Sequence, residues 1–321
     1  NAFVFPSLEG SLFDPVTLTS GKTTLKARLK PNTRSKTMRH MRIAYAMTTI
    51  LLTIATATNV AHGSQATNPK QIPYKLLADG ESLKLHHFAP TGSPPDGGRA
   101  AIVFFFGGGW VGGSPQQFYP QARHLAERGM VAIAAEYRIK SKHDSTVPQS
   151  VSDAKSAIRY VRQHATELGI NPERIISAGG SAGGHLAAAT GTLPQYDEPG
   201  ENSAISSVPN AMILLNPVVD TTPPGYTGKL LPKTGDKTLS PVHHVRPGVP
   251  PTLICHGTAD KTVPHENVVR FSNAMKEAGN RCELKSFEGA GHGFFNPGRE
   301  PAGSYDAVVA HMDTFINSLG W

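Results

Sequence analysis

Residues 174–189 read RIISAGGSAGGHLAAA: an apolar run, a glycine-flanked serine, then an alanine-rich stretch. The pattern predicts a strand that turns sharply into a helix, with Ser181 at the turn inside the G-x-S-x-G sequence of residues 179–183. Such a turn presents the serine hydroxyl at the C-terminal edge of the sheet, and side chains at the flanking positions would collide with neighbouring backbone. It also puts the hydroxyl beside the free N–H groups of a helix N-terminus, where developing negative charge is favoured.

Outward from this turn, from Ile72 onward, short apolar runs alternate with amphipathic segments, the pattern of strands joined by crossover helices in a mostly parallel sheet. The runs predict strands over 74–77, 83–88, 101–106, 131–137, 174–178, 211–216, 252–256 and 283–287, the first two forming an antiparallel meander at one edge. Helices are expected over 118–128, 151–168, 182–189, 267–278 and 305–319, with Gly129, Gly169 and Gly279 as C-terminal stops and Asn171-Pro172 as a turn. Two stretches rich in Pro, Gly, Ser, Thr and Asn, 191–209 and 221–250, read as loops able to cover a site.

A lone serine is a poor nucleophile, so the reading requires a base and an orienting acid on later loops. Asp260 follows the apolar run 252–256, and His292 lies in a glycine-rich loop after 283–287. In a parallel sheet those strand ends share one edge with the serine turn. Asp220 is the competing acid and Glu136 a weaker one. His185 lies four residues after Ser181 on the same helix and is expected to pack against the sheet, because a base must approach from another loop.

Acyl transfer also needs N–H donors for the oxyanion. Gly107-Gly108-Gly109-Trp110 follows the run 101–106, and the backbone amides of Gly108, Gly109 and Ala182 are assigned to that role. The same loop formally matches G-x-G-x-x-G from Gly107 to Gly112, with Glu136 downstream, as a dinucleotide site would. Gly113-Ser114-Pro115 intervene before any helix, so a pyrophosphate would lack its helix N-terminus. The dinucleotide reading also leaves Ser181, Asp260 and His292 idle.

Of the net charge of +7, residues 1–63 carry +6, from eight Lys and Arg against Glu9 and Asp14. The remaining 258 residues are nearly neutral, which removes the argument for a nucleic-acid partner. Residues 38–63 carry Arg39 and Arg42, an apolar stretch from Ile43 to about Ala61, and then small residues, as an export signal does. Its five threonines favour a cleaved signal over a membrane anchor, so no stable membrane insertion is expected after cleavage. Residues 1–37 read as a disordered upstream extension; Ser20-Gly21-Lys22-Thr23 hints at a phosphate loop, but the required glycine is Val16. The domain division is therefore 1–37, 38–63 and a catalytic domain over 64–321. Cys255 and Cys282 fall at opposite ends of neighbouring strands and are expected to be free, buried thiols. The pairs His86-His87 and His243-His244 read as surface histidines, since no zinc spacing is present.

FFFGGGW at 104–110, EYR at 136–138, GGSAGG at 179–184, HGTAD at 256–260 and GHGFF at 291–295 together resemble the α/β-hydrolases. Within that fold they resemble hormone-sensitive-lipase-type esterases, especially secreted acetyl-esterase and carbohydrate-esterase members. The resemblance covers about 70–321. It implies an α/β fold with a mostly parallel eight-stranded sheet, helices on both faces and no large lid domain. It further implies Ser181 as nucleophile, His292 as base, Asp260 as acid, and Gly108, Gly109 and Ala182 as the oxyanion hole, with no metal or organic cofactor. Phe106 stands where that lipase-type group has His, and Gly180 where it commonly has Asp; both favour the carbohydrate-esterase branch. An acetyl ester of a plant polysaccharide such as acetylxylan is the substrate implied.

Trp110, Phe294 and Phe295 are expected to narrow the acyl pocket, with Trp110 offering a face on which a feruloyl ester would stack. A serine peptidase of the same fold would use the same three residues, but neither a gating domain nor amine-binding acids appear in the sequence. A catalytically silent binding protein would have lost one of the three.

Overall fold

The computed structural model describes residues 68–226 and 228–321. The expected upstream extension and export signal lie outside the described residues. Eight strands form one sheet: β1 (Lys70–Leu76), β2 (Ser82–Phe88), β3 (Arg99–Phe105), β4 (Val131–Ala135), β5 (Ile170–Gly180), β6 (Ala211–Leu215), β7 (Thr252–Gly257) and β8 (Cys282–Phe287). Their order is β1-β2-β4-β3-β5-β6-β7-β8. β1 pairs antiparallel with β2, and β2 antiparallel with β4; the rest are parallel. This is the α/β-hydrolase architecture, with the edge meander where the sequence placed it.

Every residue of β4, β6 and β7 is buried, as is β3 after Arg99, so the central sheet is covered on both faces. The cover is helical: α1 (Tyr119–Glu127), α3 (Val147–Gln163), α4 (Ala182–Thr192), α5 (His265–Glu277) and α6 (Ser304–Ser318), with a single turn α2 (Lys140–His143). α4 is buried along its whole length, which its Ala and Gly content permits.

Local differences from the sequence reading have local causes. α3 starts four residues early, because Gln149 Oε1 accepts from the Thr146 amide at 2.9 Å and Pro148 suits a first turn. It also ends at Gln163, well before Gly169. Asn171 and Pro172 lie within β5 as an irregularity, where Asn171 Oδ1 accepts from the Glu173 amide at 2.9 Å. Both cysteines are free and buried, and burial pushes the Cys255 thiol up to about 12.

His86 is not a surface histidine. It is buried on β2, with Nδ1 2.5 Å from the Tyr119 hydroxyl and Nε2 3.1 Å from Glu136 Oε1, because its strand position faces inward between β4 and α1. The loop after α4 is clamped to α3, where Asp197 pairs with Lys155 and Arg159 and Glu201 with Arg159, and to β1 and the segment after β4, where Glu198 pairs with Lys75 and Arg138. Among the described residues no helix is long and apolar enough to cross a membrane.

Candidate active site

Ser181 stands between β5 and α4 with φ 56° and ψ −119°, a conformation that non-glycine residues seldom adopt. The turn is fixed from both sides: the Ser181 amide donates to the Leu215 carbonyl at 3.0 Å, and its carbonyl accepts from His185 and Val218. The glycines around it are steric requirements. A Cβ on Gly179 would lie 2.3 Å from the Gly183 carbonyl oxygen, and one on Gly183 would lie 2.0 Å from the Phe105 carbonyl oxygen. At Gly180 a Cβ would lie 2.3 Å from the Phe295 ring, which occupies the space that an Asp there would need.

His292, beyond the end of β8, brings Nε2 to 2.9 Å from Ser181 Oγ. Its Nδ1 lies 2.7 Å from Asp260 Oδ2, in the loop after β7. Asp260 Oδ1 accepts from the Thr262 and Val263 amides at 2.8 and 2.9 Å. Burial alone would raise the Asp260 pKa, but the His292 bond and those amides outweigh it and hold the carboxyl below its usual value. A carboxylate that stays ionised can orient and stabilise an imidazolium.

The glycine loop runs alongside. Gly107 is pressed so close that a Cβ there would sit 3.2 Å from Ser181 Cβ, and its amide donates to Gln117 Oε1 at 2.6 Å. The Gly108 carbonyl turns inward to accept from Val111 and Gly112, and positive φ angles at Gly108 and Gly109 leave their amides without an acceptor among the described residues. The Ala182 amide opens α4 and has no intrahelical acceptor. Three donors without an acceptor among the described residues therefore lie on the two segments that meet at the serine, as an oxyanion would require.

The other sequence candidates stand elsewhere. Asp220 accepts from Arg270 at 2.6 Å and from Thr222 and Ser240, not from His292. Glu136 belongs to His86 and the Lys84 amide. His185 is fully buried, with Nε2 2.7 Å from the Leu239 carbonyl oxygen and its ring edge-on to Trp110.

Trp110, Phe294 and Phe295 need correction. Each is only 1% exposed. Phe295 stacks on Phe118, Phe294 packs on Phe287, and Trp110 lies between His185 and Tyr226. Large rings next to glycines bury themselves in the space the glycines leave, so these three support the loops and offer no open face for a feruloyl ring. Sequence reading also missed Asn216. Buried at the end of β6 with φ 35°, it accepts the Gly293 amide on Oδ1 at 2.8 Å and so anchors the residue after His292. The only signal was an Asn-Pro pair closing an apolar run.

Two buried histidines tie stability to pH. His256 Nε2 lies 3.0 Å from the Val263 carbonyl oxygen and 3.4 Å from Asp260 Oδ2. Burial lowers both His185 and His256 from 6.5 to about 4. The unfolded chain then binds protons between pH 6.5 and 4 that the folded chain refuses, so stability falls as pH falls through that window. Each histidine contributes up to about 1.4 kcal/mol per pH unit there. Urea midpoints measured from pH 7 to 4 should drop steadily; a flat profile would mean that the folded protein accommodates both charges.

A model of the BD-FAE family matches residues 93–275. The structure is similar to that of Thermogutta terrifontis esterase 2 phosphorylated by paraoxon, with 50% identity, coverage of 80% of this chain and 96% of that one, and a TM-score of 0.74. Esterase LipC of Mycobacterium tuberculosis is 30% identical over 206 residues, 58% of this chain and 50% of its own length. The acetylxylan esterase of Xylanibacter ruminicola is 30% identical over 188 residues, 55% of this chain and 37% of its own length. The chain thus spans half or less of the length of these two curated relatives.

Proposed function

The chain belongs to the BD-FAE family, within the α/β-hydrolase fold, and on that footing we propose that it is a carboxylic ester hydrolase with Ser181 as nucleophile, His292 as base and Asp260 as orienting acid. The observation that carries this is the continuous chain from Ser181 Oγ through both His292 nitrogens to Asp260, at 2.9 and 2.7 Å. Ser181 Oγ attacks the ester carbonyl while His292 Nε2 takes its proton. The carbonyl oxygen becomes an oxyanion held by the amides of Gly108, Gly109 and Ala182. As the intermediate collapses, the imidazolium returns the proton to the leaving alcohol and an acyl-serine remains. Water then repeats the sequence, losing its proton to His292, and Ser181 is released with the carboxylic acid.

The substrate we assign is a short-chain ester, acetyl first, on a polysaccharide such as acetylxylan. Supporting it are the acetylxylan esterase among the relatives and the propionate-bound and butyrate-bound forms of the Thermogutta esterase. The expectation that residues 38–63 direct export belongs to the same proposal, since a polymeric substrate lies outside the cell. With p-nitrophenyl acetate, butyrate and octanoate, kcat/KM is expected to fall with chain length, and acetate should be released from acetylated xylan. Paraoxon should abolish activity and leave one diethylphosphoryl group on Ser181 by peptide mass mapping. Folded protein inactive on all of these esters would overturn the reading.

A further inference from the structure

Between β6 and β7 the chain makes an excursion, residues 220–240, whose neck is tied at several points. Asp220 Oδ1 accepts from the Thr222 amide at 2.9 Å, and Oδ2 accepts from Arg270 on α5 at 2.6 Å. Across the neck, Thr221 Oγ1 donates to the Asp236 carbonyl at 2.6 Å and the Asp236 amide donates back at 3.1 Å. The Tyr226 amide donates to the Asp220 carbonyl at 2.8 Å. Tyr226 is therefore presented from a braced turn.

Its phenol faces the glycine loop. A Cβ built on Gly109 would meet a single atom within 4 Å, Tyr226 Oη at 3.7 Å. The ring is tilted against Trp110 at 5.9 Å, and Trp110 is itself fixed edge-on to His185. Tyr226 is half-buried, and among the described residues its Oη has no hydrogen-bond partner. An oriented hydroxyl with no partner among the described residues, set before a proposed oxyanion donor, is available to whatever lies against that loop. Burial raises the phenol pKa, so it remains a donor through the neutral range.

The two halves of an ester make different demands. An acetyl group offers one polar atom, the carbonyl oxygen, and the loop amides account for it. A polymeric alcohol must instead leave the site toward solvent, past half-exposed side chains at its rim, carrying hydroxyl and ring oxygens. We propose that Tyr226 is a specificity-determining residue whose hydroxyl donates a hydrogen bond to an oxygen of a carbohydrate alcohol next to the scissile ester. This rests on the ester-hydrolase reading above and adds the group that selects the alcohol.

The test is Tyr226→Phe, which removes one oxygen and keeps the ring, compared with the unaltered protein on p-nitrophenyl acetate and an acetylated xylo-oligosaccharide. The preference for the sugar ester, as a ratio of kcat/KM values, should fall about tenfold, as expected for one hydrogen bond to substrate. An unchanged ratio overturns the proposal, including the case where both activities fall together, which would make the phenol part of the oxyanion site. Activity of the unaltered protein on p-nitrophenyl acetate with none on the sugar ester also overturns it. Inactivity of that protein on every ester refutes the ester-hydrolase reading itself.

Discussion

Replacing Ser181 with alanine is expected to lower kcat for p-nitrophenyl acetate by about 10⁶-fold, with little change in thermal stability. The hydroxyl is the only group lost, and the reacting bond forms on it. His292→Ala should cost a similar factor, since without Nε2 the Ser181 proton has no acceptor at 2.9 Å. The double variant should lose no more than either alone, because the pair acts as one unit and the residual rate comes from the loop amides and substrate positioning. Pre-steady-state burst measurements alongside kcat check this. Additive losses would show that the two residues act in separate steps, and a variant retaining a tenth of the activity would remove Ser181 from the role of nucleophile.

The second large effect is expected at Gly183. Helix propensity alone argues that Gly183→Ala should stabilise α4 by about 1 kcal/mol. Contact geometry argues the reverse, and it wins. The new Cβ would fall 2.0 Å from the Phe105 carbonyl oxygen and 2.4 Å from that of Phe106, both backbone atoms of the strand end that launches the glycine loop. Neither can swing aside as a side chain would. Overpacking costs about 1–3 kcal/mol, and here the upper part of that range is expected. Separation of β3 from α4 would also shift Ala182 relative to Gly108, and a displacement of about 1 Å at such a site lowers kcat by about 10²-fold. Urea denaturation and kcat on one preparation test both. A variant as stable and active as the parent would mean that β3 and α4 do not approach this closely.

The juxtaposition of Ser181, His292 and Asp260, on which the proposed triad rests, was legible because each sits at a strand end whose position the apolar runs reveal, and a parallel sheet brings those ends to one edge. Distances remained beyond reach, yet Ser181, His292 and Asp260 stand in the order and on the loops that the strand pattern predicts. Asn216 was not legible: its value lies in a bond to Gly293, 77 residues away, and no local pattern encodes that. Tyr226 was hidden in a stretch without periodicity, where orientation depends on the Asp220 and Asp236 bonds. The aromatics failed in the opposite direction. Trp110, Phe294 and Phe295 lie beside candidate site residues in sequence, but adjacency does not distinguish a ring that lines a cavity from one that fills it. The reading of His86 failed for a related reason, since a histidine pair on a strand gives one residue to each face of the sheet and only the packing of Tyr119 and Glu136 shows which is enclosed.

With the Phe295 ring 2.3 Å from a would-be Cβ on Gly180, one small volume is claimed from two distant places in the chain. The two positions, more than a hundred residues apart in the chain, are sterically coupled: a side chain at 180 and the ring at 295 need the same space. An acidic side chain at 180 with the ring in place makes a clash, and a smaller residue at 295 with glycine kept at 180 leaves a void.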